Sequence, residues 1–176
     1  MAIGSALGIS VTHVSTDAAA PLGFEVAKAA DAASDGTYPN GMQTWVYVFN
    51  DEASASFETG QVIYRDPSAT TFDFYGGLIT PITVHQPQVL CLGVAQHTIA
   101  AGSYGFILKQ GVGFVKCGAV VVTADTMFTT GGDDVGTVLI YADDATALSA
   151  NIGVIGHTAT ALSADAATVL AYVSCG

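Results

Sequence analysis

The sequence predicts an all-β fold, a compact antiparallel β-barrel or β-sandwich with an extended N-terminal arm. Three observations carry this prediction. Short runs of β-branched and aromatic residues recur from Gln43 onward, Gly, Pro, Asn and Asp punctuate them, and no segment has the length and periodicity of a long helix.

Taken in order, residues 1–42 are rich in Ala, Gly and Ser with few large side chains, and read as the arm. Within it, residues 24–31 have the composition for about two helical turns. Pro21 and Ser34-Asp35-Gly36 bound them, and so short an isolated helix is marginal. Residues 43–176 form the β domain. Trp45-Val46-Tyr47-Val48-Phe49 is apolar at every position, as in a strand covered on both faces. Further strands are expected at 57–65, 71–75 and 89–98, with 82–85 demoted to an edge or link by Pro81 and Pro87. The remainder fall at 105–109, 113–116, 119–123, 137–141, 151–158 and 167–174. An internal echo joins Leu92-Gly93-Val94-Ala95-Gln96-His97-Thr98 to Ile152-Gly153-Val154-Ile155-Gly156-His157-Thr158, 60 positions on, suggesting two related hairpins side by side.

Composition narrows the partners. The 176 residues carry 15 Asp plus Glu against 4 Lys plus Arg, a formal charge of −11. Lys28, Arg65, Lys109 and Lys116 are too few and scattered for the basic stripe that nucleic acid requires, and an anionic membrane would repel the chain; no nucleic acid and no membrane are expected. Charged residues make up only 11% and hydrophobic ones 51%, of which 28 residues are Ala. A surface built from Ala, Thr, Ser and Gly suits contact with other subunits, so a homo-oligomer or larger assembly is expected. The N-terminus has no basic region followed by an apolar run, so synthesis without a secretion step is expected.

No residue set reads as a catalytic, cofactor or metal site, and the chain is not expected to be an enzyme. His13, His85, His97 and His157 lack H-x-H or H-E-x-x-H spacing; if the echo is structural, His97 and His157 face each other, with Asp133, Asp134, Asp143 or Asp144 as oxygen donors. Those paired Asp loops lack the alternating spacing that wraps Ca²⁺, and read as solvated turns. Ser103, in Ala101-Gly102-Ser103-Tyr104-Gly105, belongs to a hairpin turn and not to a nucleophile elbow. Cys91, Cys117 and Cys175 are odd in number, widely spaced and without a C-x-x-C pair, and read as small buried side chains, the alternative being an interchain disulfide or reactive thiol.

Pro21-Leu22-Gly23, Val26, Asp35-Gly36, Trp45-Val46-Tyr47-Val48, Gly60-Gln61-Val62, Leu92-Gly93-Val94-Ala95 and Ala100 to Phe106 together resemble the head decoration, or cement, proteins of tailed bacteriophages. The resemblance implies an arm leading to a β domain. It also implies a place on the outer capsid surface, the major capsid protein as partner, and self-association, often as trimers. Residues 1–42 would then lie along the capsid, and removing residues 2–20 would abolish head binding while leaving the domain folded. A carbohydrate- or Ca²⁺-binding β module, or a tail- or fibre-associated one, shares the composition.

Overall fold

The computed structural model describes residues 8–29, 41–66, 74–79, 91–118, 124, 127–130, 136–140, 154–158 and 168–175. Among them every regular element is a strand: β1 (Glu25–Ala29), β2 (Met42–Asn50), β3 (Val62–Arg65), β4 (Gly76–Leu78), β5 (Cys91–Val94), β6 (Tyr104–Lys116), β7 (Met127–Thr130), β8 (Val138–Ile140), β9 (Val154–Thr158) and β10 (Thr168–Ser174).

The pairing order β2-β4-β3-β5-β6 returns to β2, so these five strands close a barrel. A ring with an odd number of strands cannot alternate direction all the way round. The expected antiparallel barrel is therefore interrupted once, where β2 and β4 run parallel with Phe49 beside Gly76 and Asn50 beside Gly77. The other four pairings are antiparallel. Closure removes the free edges that an open sheet would expose.

The barrel strands are buried on both faces, as the unbroken apolar run at 45–49 predicts. Trp45, Tyr47, Val62, Tyr64, Phe106 and Leu108 enter one core cluster, while their neighbours Val46, Val48, Ile63 and Ile107 enter another with Phe57 and Ile99. One barrel end is tied by Asn50, which is fully buried. Its Nδ2 donates to the carbonyls of Ala55 (3.0 Å) and Ile99 (2.8 Å), and its Oδ1 accepts from the Glu52 amide (3.1 Å).

β6 is one strand of 13 residues, not two. The sequence analysis expects two strands, at 105–109 and 113–116, with Gly111 between them. It is instead an irregularity inside the strand, with φ of 120°. Up to Gln110 the strand pairs with β2, and from Gln110 onward with β10. At roughly 3.3 Å per residue the strand outruns the barrel wall. β10, β9, β7 and β8 continue the sheet beyond the barrel in that order.

Residues 8–29, the described part of the expected arm, pack against the β domain. Val11, Ala20 and Val26 are buried in the larger core cluster. Ser15 and Tyr104 exchange backbone hydrogen bonds, and the Ala19 amide donates to the Tyr47 hydroxyl. Residues 25–29, read as a marginal helix, form β1 paired antiparallel with β2. Strand alternation buries Val26 beside Trp45, a gain that outweighs the weak helix propensity of so short a segment. Removing residues 2–20 would therefore strip core contacts as well as any docking element. The described part of the arm belongs to the fold, and residues 1–7 and 30–40 lie outside the described residues.

Candidate interaction surface

The sheet beyond the barrel has one face turned inward and one outward. Inward, Val115, Val169, Ala171, Val173, Ile155 and Phe128 join the larger core cluster. Outward, β6 presents Gln110, Val112, Phe114 and Lys116, and β10 presents Thr168, Leu170, Tyr172 and Ser174, since side chains two residues apart share a face. The register places Tyr172 beside Val112 on one side and His157 on the other, and His157 beside Met127. A row Met127–His157–Tyr172–Val112 thus crosses four strands, about 14 Å at the usual inter-strand spacing.

This face exposes large apolar side chains. Met127 is 53% exposed, Phe114 42% and Tyr172 36%. The His157 and Tyr172 rings stack with centroids 5.7 Å apart, and Gln110 Nε2 donates to the Tyr172 hydroxyl at 3.1 Å. Beneath Phe114, the Gln96 side chain substitutes for a neighbouring strand: its Nε2 donates to the Phe114 carbonyl (2.9 Å) and its Oε1 accepts from the Phe114 amide (2.8 Å). Gly113 permits that approach, because a Cβ there would stand 2.7 Å from Gln96 Oε1. Rigid backing of this kind lowers the ordering cost of any contact made on top of it.

Among the described residues the carboxylates lie away from this face. The described carboxylates are Asp17, Glu25, Asp51, Glu52, Glu58 and Asp66, all on the N-terminal segment or the 51–66 stretch. Among the described residues no Asp or Glu lies on the outward face, where Lys116, His157 and Tyr172 are the titratable groups. Where the acids do gather, burial and then the neighbouring Asp66 and Glu52 raise the pKa of Asp51.

The candidate residues that are described do not converge. His97 sits in the turn after β5 and His157 within β9, so the two echo copies play different parts, one beside the barrel and one in the outer sheet. His97 has both ring nitrogens buried without a hydrogen-bond partner, and burial lowers its pKa. His13 is exposed in a turn of the N-terminal segment. His85, Asp133, Asp134, Asp143 and Asp144 lie outside the described residues, among which no group of three or more His, Cys, Asp or Glu side chains is placed to hold a metal. Ser103 is buried in the turn that leads into β6, its amide bonded to the Ala100 carbonyl and its carbonyl to the Asn50 amide. Gly102, with φ of 70°, supplies the left-handed position of that turn. Cys91, Cys117 and Cys175 are all buried, and burial pushes the Cys117 thiol up to about 11. The outward face itself was missed. Its signal is the alternation of Phe114 with Gly113 and Val115, and of Tyr172 with Ala171 and Val173, which puts a large side chain on the face opposite the core.

No protein-family model and no curated protein sequence matches the chain. A solved structure of similar outline is the N base of the head fiber gp8.5 of bacteriophage phi29, at a TM-score of 0.48 and 13% identity, covering 77% of this chain and 97% of that one. At this level the likeness assigns neither residues nor function to the chain.

Proposed function

We propose that this protein is a structural component of a tailed-bacteriophage virion, a decoration or cement subunit. It would bind the outer face of the head and stabilise contacts between major capsid protein subunits. The observation that carries the reading is the outward sheet face, which exposes Met127, Phe114 and Tyr172, holds no carboxylate among the described residues, and is set in a chain of net charge −11. Such a face lets an acidic protein approach a partner without like-charge repulsion, and Tyr, Met and Phe on a rigid sheet are the side chains that interface cores favour. The closed barrel fits the role of a scaffold, since it leaves few edges for uncontrolled strand pairing.

The action is passive. A subunit that binds the assembled lattice and not its free components stabilises the lattice by mass action. Self-association, with a trimer suggested by the family resemblance, would place several such faces around one axis. The test is to add purified protein to heads lacking it and follow co-sedimentation and resistance to heat. Binding with raised heat resistance supports the reading. Failure to bind heads, with electron microscopy placing the protein on tails or fibres instead, would replace cement by a fibre-associated module.

A further inference from the structure

The two cysteines farthest apart in the sequence among the three meet in space. Cys91 opens β5 in the barrel wall, and Cys175 follows β10, the first strand of the outer sheet. Their sulfurs stand 2.7 Å apart, both side chains are buried, and the Cys175 amide donates to the Lys109 carbonyl at 3.0 Å, which anchors that end of β10 to the barrel strand β6. A disulfide has its sulfurs at ~2.05 Å, so the pair is short of a bond by well under an ångström with no atom between. Cys117 follows Lys116, which pairs with Thr168 at one end of the β6–β10 ladder, whereas Cys175 follows Ser174, which pairs with Gln110 at the other, so Cys117 stays outside the pair.

We propose that Cys91 and Cys175 form an intrachain disulfide that staples the outer sheet to the barrel. The bond would form by exchange with a low-molecular-weight disulfide such as oxidised glutathione. One protein thiolate attacks that disulfide and releases one glutathione. The second protein thiolate then attacks the protein sulfur of the mixed disulfide and releases the other. The two protein thiols are oxidised to one S–S bond, glutathione disulfide is reduced to two thiols, and the two protons pass to the departing glutathiones.

A depression nearby is lined by Cys91, Leu92, Arg65, Phe74, Lys109 and Glu25, with Lys109 Nζ paired to Glu25 Oε1 at 2.8 Å. Both sulfurs are buried, so exchange requires that end of β10 to open locally. The hydrogen bond with Cys91, then burial, raises the Cys175 pKa, so little thiolate is present near neutrality and exchange should accelerate as the pH rises. A chain made in a reducing compartment would keep the thiols, and one exposed to oxidising medium would close the staple. The inference stands independently of the capsid reading.

The test is to refold the full chain from urea in a buffer of reduced and oxidised glutathione, block free thiols by alkylation, and map the cross-linked peptides by mass. The expected result is a peptide joining Cys91 to Cys175 with Cys117 alkylated. Cys117→Ser should leave this pattern unchanged and Cys91→Ser should abolish it. Because the bond closes a loop spanning 84 positions, the oxidised protein should melt about 10 °C above the reduced one. All three thiols remaining free, a cross-link through Cys117, or an oxidised form that melts no higher than the reduced one would overturn the proposal.

Discussion

Replacing Asn50 probes the tie at the barrel end. Its side chain makes three hydrogen bonds, to Ala55, Ile99 and Glu52, from a site with no solvent exposure. At about 1 kcal/mol net for each bond, Asn50→Ala should cost about 3 kcal/mol. The Ile99 carbonyl keeps the Phe57 amide as a second partner, so the cost should not climb far above that. For a chain of 176 residues with an unfolding entropy of roughly 2.1 cal/mol/K per residue, the melting temperature should fall by about 8 °C. Asn50→Asp preserves shape and the bond from Glu52, but it sets a carboxylate against two carbonyl oxygens, close in the chain to Asp51 and Glu52. Its folded pKa should rise above the unfolded value near 3.9. The penalty is then present above the folded pKa and is relieved as the pH falls through it. Thermal melts from pH 7 to pH 4 should show the Asp variant less stable than the Ala variant at pH 7 and recovering towards pH 4. An Asp variant as stable as the parent at pH 7 would refute the assignment of Nδ2 as a double donor.

Two further predictions concern the strand changeover and the buried histidine. Gly111→Ala should destabilise by about 2 kcal/mol in a denaturant titration, since a Cβ would meet the Met42 carbonyl at 2.8 Å on a backbone with φ of 120°. His97 has its folded pKa lowered by burial from the ordinary 6.5, so the unfolded chain takes up the proton first and stability falls as the pH drops from 6.5 towards the folded pKa. In a series of melts across that window, His97→Phe should match the parent above pH 7 and lose this acid sensitivity.

Much of the barrel is legible in the sequence because burial on both faces leaves a plain signature. The run at 45–49 has no polar position to misplace, and β2 forms there. Elsewhere local signals point the wrong way. Ala-rich residues 25–29 suggest helix until the β2 edge offers Val26 a partner beside Trp45. Gly76 and Gly77, just past the strand expected at 71–75, are themselves in β4, where a Cβ on Gly77 would stand 2.6 Å from the Ile63 side chain. β7 is not legible in the sequence, because its four residues, Met127 to Thr130, carry too little pattern. The echo failed for a tertiary reason: both copies contain a strand, but one closes the barrel and the other lies two strands beyond β6. Nothing local joins Cys91 to Cys175 either. Only closure of the barrel and the return of β10 along β6 brings them together.

The outward sheet face is tested most directly by adding charge to it. Phe114→Glu and Met127→Glu change side chains that are 42% and 53% exposed, so the protein should stay folded by circular dichroism and melting. The measurement is binding of parent and double variant to undecorated heads, followed by co-sedimentation at low and at moderate salt. The account predicts that the parent binds at both, because apolar contacts are screened little by salt, and that the folded double variant does not bind. A double variant that binds as well as the parent, or a parent released by moderate salt alone, would contradict it.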